Sequence, residues 1–387
     1  MRALAYTLIY LLVIQLALGL ALPTGLVYHY RLDFNVVKST PAADYDVVLE
    51  QVGQEIRREK LADYLVILGD SVGYSGPGGP EQSLGYYLET ISREQGHPMR
   101  VFNLSMPAMQ AGDIYTAFLK LHEHGISTRH VAINIIYGGF VARKPDPPAA
   151  TWLQDDLRRL DPEAYAYALP SLKANGRVKP LTYADWFRRV IYPRIPVLRY
   201  RDFLRAAIDR YIPGLGPDEV IDTRPWSEKP GLPELLQARE YQRLFDDTPF
   251  VMDETNPQVY FTNRLIARAR AEGSDLIFFL TPANSELMRA NVAKPGYAAN
   301  LRRIDEFFTA RPVRFVNLEG QISPRLFADH LHLVPEGYRL MASLLWRDCF
   351  KSAAWPPPGA RGAVPQPLLQ ARSAAGKARR GDAVALP

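Results

Sequence analysis

The chain has 387 residues, 47% of them hydrophobic and 22% charged, which excludes a disordered or fibrous protein and leaves room for a large core. The net charge of +5 is spread along the sequence, and no dense Lys/Arg block with interleaved aromatics marks a nucleic-acid surface. A single cysteine, Cys349, excludes an internal disulfide framework and a cysteine-based metal site.

After Arg2, residues Ala3 to Leu22 are almost wholly apolar, broken only by Thr7, Gln15 and Gly19. About twenty such residues span a bilayer as a helix. Residues 1–22 are therefore expected to anchor the chain. The alternative is a cleaved signal ending near Ala17-Leu18-Gly19, which would leave the protein secreted. Arg2 places the carboxyl side outside in either case, periplasmic or at the cell surface. Residues 23–60 read as a stalk and a surface helix.

A strand-helix rhythm then begins. Leu65 to Leu68 form a short apolar run that reads as a buried strand ending at Gly69. A helix follows from about Ser83, with Leu84, Tyr87, Leu88 and Ile91 on one stripe. Residues 100–105 and 130–137 give further strands, with a helix near 113–124 between them. The rhythm breaks over 141–255, a stretch rich in Tyr, Trp, Arg and Pro that reads as a mostly helical insertion forming a cap or partner surface. It resumes with helix 257–273, strand 275–280, helix 301–310, strand 314–318 and helix 335–350. This alternation predicts an α/β fold, a parallel sheet sandwiched between helices, in a domain over residues 61–353. From 354 to 387 the composition, without periodicity, predicts a disordered tail.

Two short motifs carry chemistry. Ser71, in Gly69-Asp70-Ser71, sits at the carboxyl end of the first strand, where a nucleophile meets backbone amides. Asp329 and His332 stand in the loop after the fifth strand, and in a parallel sheet all such loops open on one edge. His332 can take the Ser71 proton while Asp329 orients the imidazole. Gly69-Asp-Ser-Val-Gly73 also satisfies the nucleophile elbow of α/β-hydrolases. There, however, several strands precede the elbow and the acid lies far upstream of the histidine.

With these residues the chain resembles the SGNH hydrolase superfamily (GDSL-type esterases) over 64–140 and 257–350. The resemblance implies a three-layer α/β/α sandwich with five parallel strands and an oxyanion hole built from three donors: the Ser71 amide, a glycine amide after the second strand and an asparagine after the third. Ala108 falls where that glycine belongs, and its backbone N–H can still donate. The third stretch, Ile135-Ile-Tyr-Gly-Gly-Phe140, lacks the asparagine, leaving Asn256, Asn263 or Asn284 as substitutes. Asn284 and Asp70, on the same edge, are candidate substrate contacts, and a turn-forming role for Asn284 is the alternative. His330 reads as a surface neighbour or hydrogen-bond partner. His122 and His124 point apart on a helix and make a poor metal pair. The glycines at 73–79 lack the lysine of a phosphate loop and read as flexible access to Ser71. No metal or cofactor is expected.

A serine site of this kind performs acyl transfer. Membrane-tethered relatives with this layout resemble the extracytoplasmic partners of membrane-bound O-acyltransferases, which acylate cell-envelope polymers. That implies an O-acyltransferase, with acetyl as the acyl group, acting on an exported glycan. A tethered esterase or lipase using water is the second reading, and a non-catalytic glycan-binding or assembly protein the third.

Overall fold

The computed structural model describes residues 2–21, 24–142, 147–178, 183, 187, 190–211 and 222–350. The tail expected from 354 onward lies outside them, as does most of the helical piece expected near 182–192.

A seven-stranded sheet organises the domain: β1 (Tyr28–His29), β2 (Arg31–Leu32), β3 (Tyr64–Leu68), β4 (Arg100–Asn103), β5 (His130–Ile135), β6 (Asp275–Leu280) and β7 (Arg314–Asn317), in the spatial order β1-β2-β4-β3-β5-β6-β7. The five strands read from the sequence are all present and mutually parallel; β3 pairs through Val66 with Phe102 on one side and Val131 on the other. Every residue of β3 and β5 is buried. Strands covered on both faces have no polar side to alternate with, which is why they read as unbroken apolar runs.

The eleven helices used below are α1 (Arg2–Ala21), α2 (Pro41–Glu59), α3 (Ser71–Tyr74), α4 (Leu84–Glu94), α5 (Ala111–Glu123), α6 (Gln154–Leu160), α7 (Pro162–Ala174), α8 (Arg201–Tyr211), α9 (Pro257–Glu272), α10 (Pro295–Thr309) and α11 (Pro335–Leu345). Right-handed crossovers send α4 and α11, which pack together, to one face of the sheet, and α5 and α9, which also pack together, to the other. The described residues between 141 and 255 hold α6, α7, α8 and shorter turns, and no strand.

The amino-terminal part differs from the stalk expected of it. Residues 28–32 fold as a hairpin that extends the sheet beyond β4, with Arg31 in register with Asn103 and the Tyr28 hydroxyl accepting the Asn103 amide at 2.7 Å. Helix α2 buries Tyr45, Val48, Leu49 and Val52 completely, so it covers the core and is not a free surface helix. The strand expected over 130–137 ends at Ile135, because Tyr137–Gly139 turn away as a short 3-10 segment.

Among the described residues no helix is long and apolar enough to cross a membrane. Nine of the twenty side chains of α1 fall outside that description; those within it include Ile9, Leu12, Val13 and Leu16, all more than half exposed.

Candidate functional site

The connection from β3 runs to β4 on one side and the next returns to β5 on the other, so the loop leaving β3 parts from the loops leaving β4 and β5 and opens a crevice at their carboxyl ends. Ser71 stands in that crevice. Asp70 precedes it as the cap of α3, its Oδ1 accepting the Val72 amide at 2.9 Å. The turn is held from below by Asn134 of β5, whose Oδ1 accepts the Asp70 amide and whose Nδ2 donates to Asp70 Oδ1, both at 2.8 Å.

This bridge accounts for the two glycines of the motif. A Cβ at Gly69 would lie 1.5 Å from Asn134 Oδ1, and one at Gly73 would lie 2.3 Å from it and 2.8 Å from Ser105 Oγ. Gly73 is therefore fixed by close packing inside α3 and is not a flexible approach to Ser71. The loop beyond it is tied down as well: the Arg31 guanidinium donates to Tyr74 O, Ser75 O and Gly78 O, and the Tyr338 hydroxyl to Gly76 O at 2.7 Å.

Asp329 and His332 occupy the turn before α11. His332 Nε2 lies 2.8 Å from Ser71 Oγ, and its Nδ1 lies 2.8 Å from Asp329 Oδ2. The other carboxylate oxygen of Asp329 accepts the backbone amides of Leu331 and His332, at 2.8 and 2.7 Å. Burial pushes the Asp329 carboxyl up, but the charge and hydrogen bond of His332, with the charge of His330 and the Leu331 amide, hold it well below the usual carboxylate range. For His332 burial acts downward, and the charge of Asp329, its hydrogen bond and the charge of Asp70 outweigh it, raising the imidazole above its ordinary value. Ser71, His332 and Asp329 thus form one hydrogen-bonded line, an arrangement able to move the serine proton.

The other residues singled out from the sequence have structural work. Asp70 is a buried cap, and burial, opposed by the Asn134 and Val72 hydrogen bonds, raises its carboxyl. Asn284 is fully buried and clamps the Asp329 loop, its amide donating to His330 O at 3.0 Å and its Nδ2 to Asp329 O at 3.2 Å, while its Oδ1 accepts the Glu286 and Leu287 amides. It is a turn residue and not a substrate contact. Asn256 caps α9 and donates to Phe140 O, and Asn263 is engaged by Arg311 and Glu254. None of the three amides is left to serve as an oxyanion donor. The Gly138-Gly139 turn is closely packed: a Cβ at Gly138 would lie 3.2 Å from Leu244 O, and one at Gly139 would lie 2.8 Å from Gln258 Oε1 and displace that side chain. His330 is 6% exposed and lies edge-on to Tyr241 and Phe245, so it is a core residue and not a surface one; that burial, against the pull of Asp329, lowers its imidazole to about 4.

Ala108 takes a positive φ of +61° in the turn Met106-Pro-Ala-Met109, closed by the Met109 amide on Met106 O. Proline at the second position and a positive φ at the third are the marks of a type II turn, the position that favours glycine. Met106 in turn donates to Gly69 O, which ties this loop to the turn of Ser71. The Ala108 and Ser71 amides donate to no acceptor among the described residues.

Asn134 is the site residue that the sequence reading missed. A polar side chain inside the run Val131-Ala-Ile-Asn-Ile135 reads as an interruption of a strand; the signal was the pair Gly69 and Gly73, which leave a hole that something must fill.

A cleft of about 1200 Å³ opens between the insertion and the domain, lined by Phe140, Arg239, Phe245, Phe250, Asn256 and Lys294 among others. Ser71, Ala108, Asp329 and His332 are not in its lining, so the cleft does not coincide with the crevice. Among the described residues no three His, Cys, Asp or Glu side chains gather as a metal-binding group.

No family model matches the chain, and no curated protein matches it. Among solved structures it is similar to one described as "a putative lipolytic protein of G-D-S-L family from Desulfitobacterium hafniense DCB-2", at 12% identity and a TM-score of 0.34, over 73% of this chain and 98% of that one. A likeness so slight carries no argument, and the reading below rests on the side chains.

Proposed function

We propose that this chain is an extracytoplasmic serine acyltransferase of SGNH type that moves an acyl group, acetyl in the first instance, onto a hydroxyl of an exported glycan. The observation that carries the reading is the line Ser71–His332–Asp329, with both links at 2.8 Å. As the Ser71 oxygen bonds to the acyl carbon, its proton passes to His332 Nε2. The carbonyl oxygen becomes an oxyanion facing the Ser71 and Ala108 amides. Collapse of the adduct expels the donor alcohol, which leaves with the proton held by His332. In the second half His332 takes the proton of the acceptor hydroxyl, that oxygen bonds to the acyl carbon, and Ser71 regains its proton. Asp329 stays ionised throughout, because it is held far below neutral pH.

A glycan acceptor is supported by the cleft of about 1200 Å³ between the insertion and the domain, and by the exposed apolar side chains of α1, which suit contact with a bilayer. A membrane-bound O-acyltransferase is the proposed source of acyl groups. Water as acceptor is the second reading, favoured by the fact that the serine line needs nothing more to hydrolyse an ester.

The test is intact-protein mass spectrometry after exposure to an activated acetyl ester, with and without glycan. Wild type should gain one acetyl group and Ser71→Ala none. Acetyl appearing on the glycan supports transfer; fast hydrolysis with no glycan product refutes it in favour of the esterase. A wild-type protein that gains nothing from any acyl donor, membrane partner included, would leave the fold as a binding protein.

A further inference from the structure

The acyl-transfer reading leaves a gap, since the turn after β5, Ile136-Tyr-Gly-Gly-Phe140, offers no asparagine donor. The burden falls on the Ala108 amide. That amide belongs to the peptide group joining Pro107 to Ala108, and the carbonyl of the same group, Pro107 O, accepts the indole N–H of Trp152 at 2.8 Å. In a trans peptide the C=O and N–H point in opposite directions. Fixing the carbonyl toward Trp152 therefore aims the Ala108 N–H the other way, and a carbonyl that accepts a hydrogen bond makes its own N–H a stronger donor.

Trp152 is itself held on a rigid seat. Its backbone amide and that of Leu153 donate to Asp113 Oδ1, at 2.8 and 2.9 Å, and the Thr151 and Gln110 amides to Asp113 Oδ2. Asp113 is fully buried at the start of α5, directly after the Ala108 turn. The indole ring meets Phe34 edge-on at 5.7 Å. The insertion thus begins by returning to the β4 loop and gripping one peptide group in it.

We propose that Trp152 is a positioning residue for acyl transfer: its indole N–H, by holding the Pro107 carbonyl, orients and polarises the Ala108 N–H as the oxyanion donor that stands in for the missing asparagine. The proposal rests on the acyl-transfer reading and is tested so that the two fail differently.

The perturbation is Trp152→Phe in the full chain, which keeps a ring against Phe34 and deletes the N–H. Acylation of Ser71 by an activated acetyl ester should slow about tenfold or more, short of the 10²–10³ that follows outright loss of a donor, with KM little changed. A trifluoromethyl ketone, whose carbonyl carbon takes up the Ser71 oxygen and whose oxygen becomes an oxyanion, should bind more weakly by the same factor, since only such adducts use the donor. Replacing Trp152 by its benzothiophene isostere, a sulfur in place of the N–H, gives the same readout should the phenylalanine variant fold poorly. The proposal is overturned if rate and ketone affinity both stay within about twofold of wild type, or if KM, rate and melting temperature all fall together while ketone affinity does not track the rate. A wild-type chain that neither acylates nor binds the ketone overturns the acyl-transfer reading, and this one with it.

Discussion

Truncating Asn134 to alanine tests whether the bridge beneath Ser71 is a brace or a catalytic donor. The side chain is 1% exposed and makes two hydrogen bonds to Asp70, one to its amide and one to its carboxyl. Alanine leaves the Asp70 amide buried without a partner, at a cost of about 1–3 kcal/mol, and removes one donor from a buried carboxyl that also accepts the Val72 and Gly73 amides, worth roughly 1.5–3 kcal/mol. The hole beside Gly69 and Gly73 adds a little more, so the loss should be about 3–5 kcal/mol, a large share of the 5–15 kcal/mol typical of a domain. Urea denaturation monitored by tryptophan fluorescence measures it, and Ser71 acylation is then timed under conditions where the variant is fully folded. Because Asn134 Nδ2 is already given to Asp70, the folded variant should acylate within about tenfold of wild type. An unchanged urea midpoint with a rate about 10²–10³ lower would refute the reasoning, since that is the signature of a lost oxyanion donor. Asn134→Asp sharpens the test: it keeps the acceptor for the Asp70 amide but sets a second carboxyl against Asp70, so its stability deficit should grow as the pH rises and both groups are driven to ionise.

Two further outcomes follow from residues elsewhere on the same edge. Burial, opposed by the Ala283 amide and the Tyr297 hydroxyl, raises the Glu319 carboxyl to about 7, so the folded protein binds a proton that the unfolded chain has lost. The stability this contributes is complete below the ordinary glutamate value and fades as the pH rises through about 7; Glu319→Gln should remove that fade and leave the protein more stable at pH 8 by about 1–3 kcal/mol, read from urea midpoints across pH. Ala108→Gly should raise the melting temperature slightly, by relieving about 1 kcal/mol of left-handed strain, without abolishing acylation, because the donor is backbone.

The five parallel strands were legible because each carries a short apolar run, and their alternation with helices points to the parallel arrangement. That the Ser71 turn and the Asp329 loop share one edge follows from the same topology. The hairpin at 28–32 was not legible: two-residue strands around Tyr30 are too short for a period, and Arg31 is polar because it ties the loop at 74–78, which no local pattern encodes. The structural role of Asn284 was hidden for a related reason. A polar residue at the carboxyl end of a strand is equally suited to substrate and to the backbone of the neighbouring loop, and only the coordinates of that loop decide between them. His330 looked like surface because the residues that bury it, Tyr241 and Phe245, lie about ninety positions earlier, inside a stretch with no regular pattern.

That stretch changes how the site should be viewed. The insertion touches both halves of the crevice. Trp152 grips the peptide of Ala108 on the β4 side, while on the β7 side the Trp226 amide donates to Phe327 O at 2.8 Å, its indole to Pro324 O at 3.0 Å, and Lys229 to Ala328 O at 3.0 Å. Tyr241 and Phe245 wall His330, the residue next to Asp329, and Phe245 also lines the cleft. A cap laid over a finished site would contact substrate and leave the loops beneath it alone. Here the inserted residues supply hydrogen bonds to the backbone on which the oxyanion donor and the Asp–His pair are carried. The sheet fixes where Ser71 and His332 meet, and the insertion fixes the loops around them, with Phe245 reaching from the cleft lining to His330, the neighbour of Asp329.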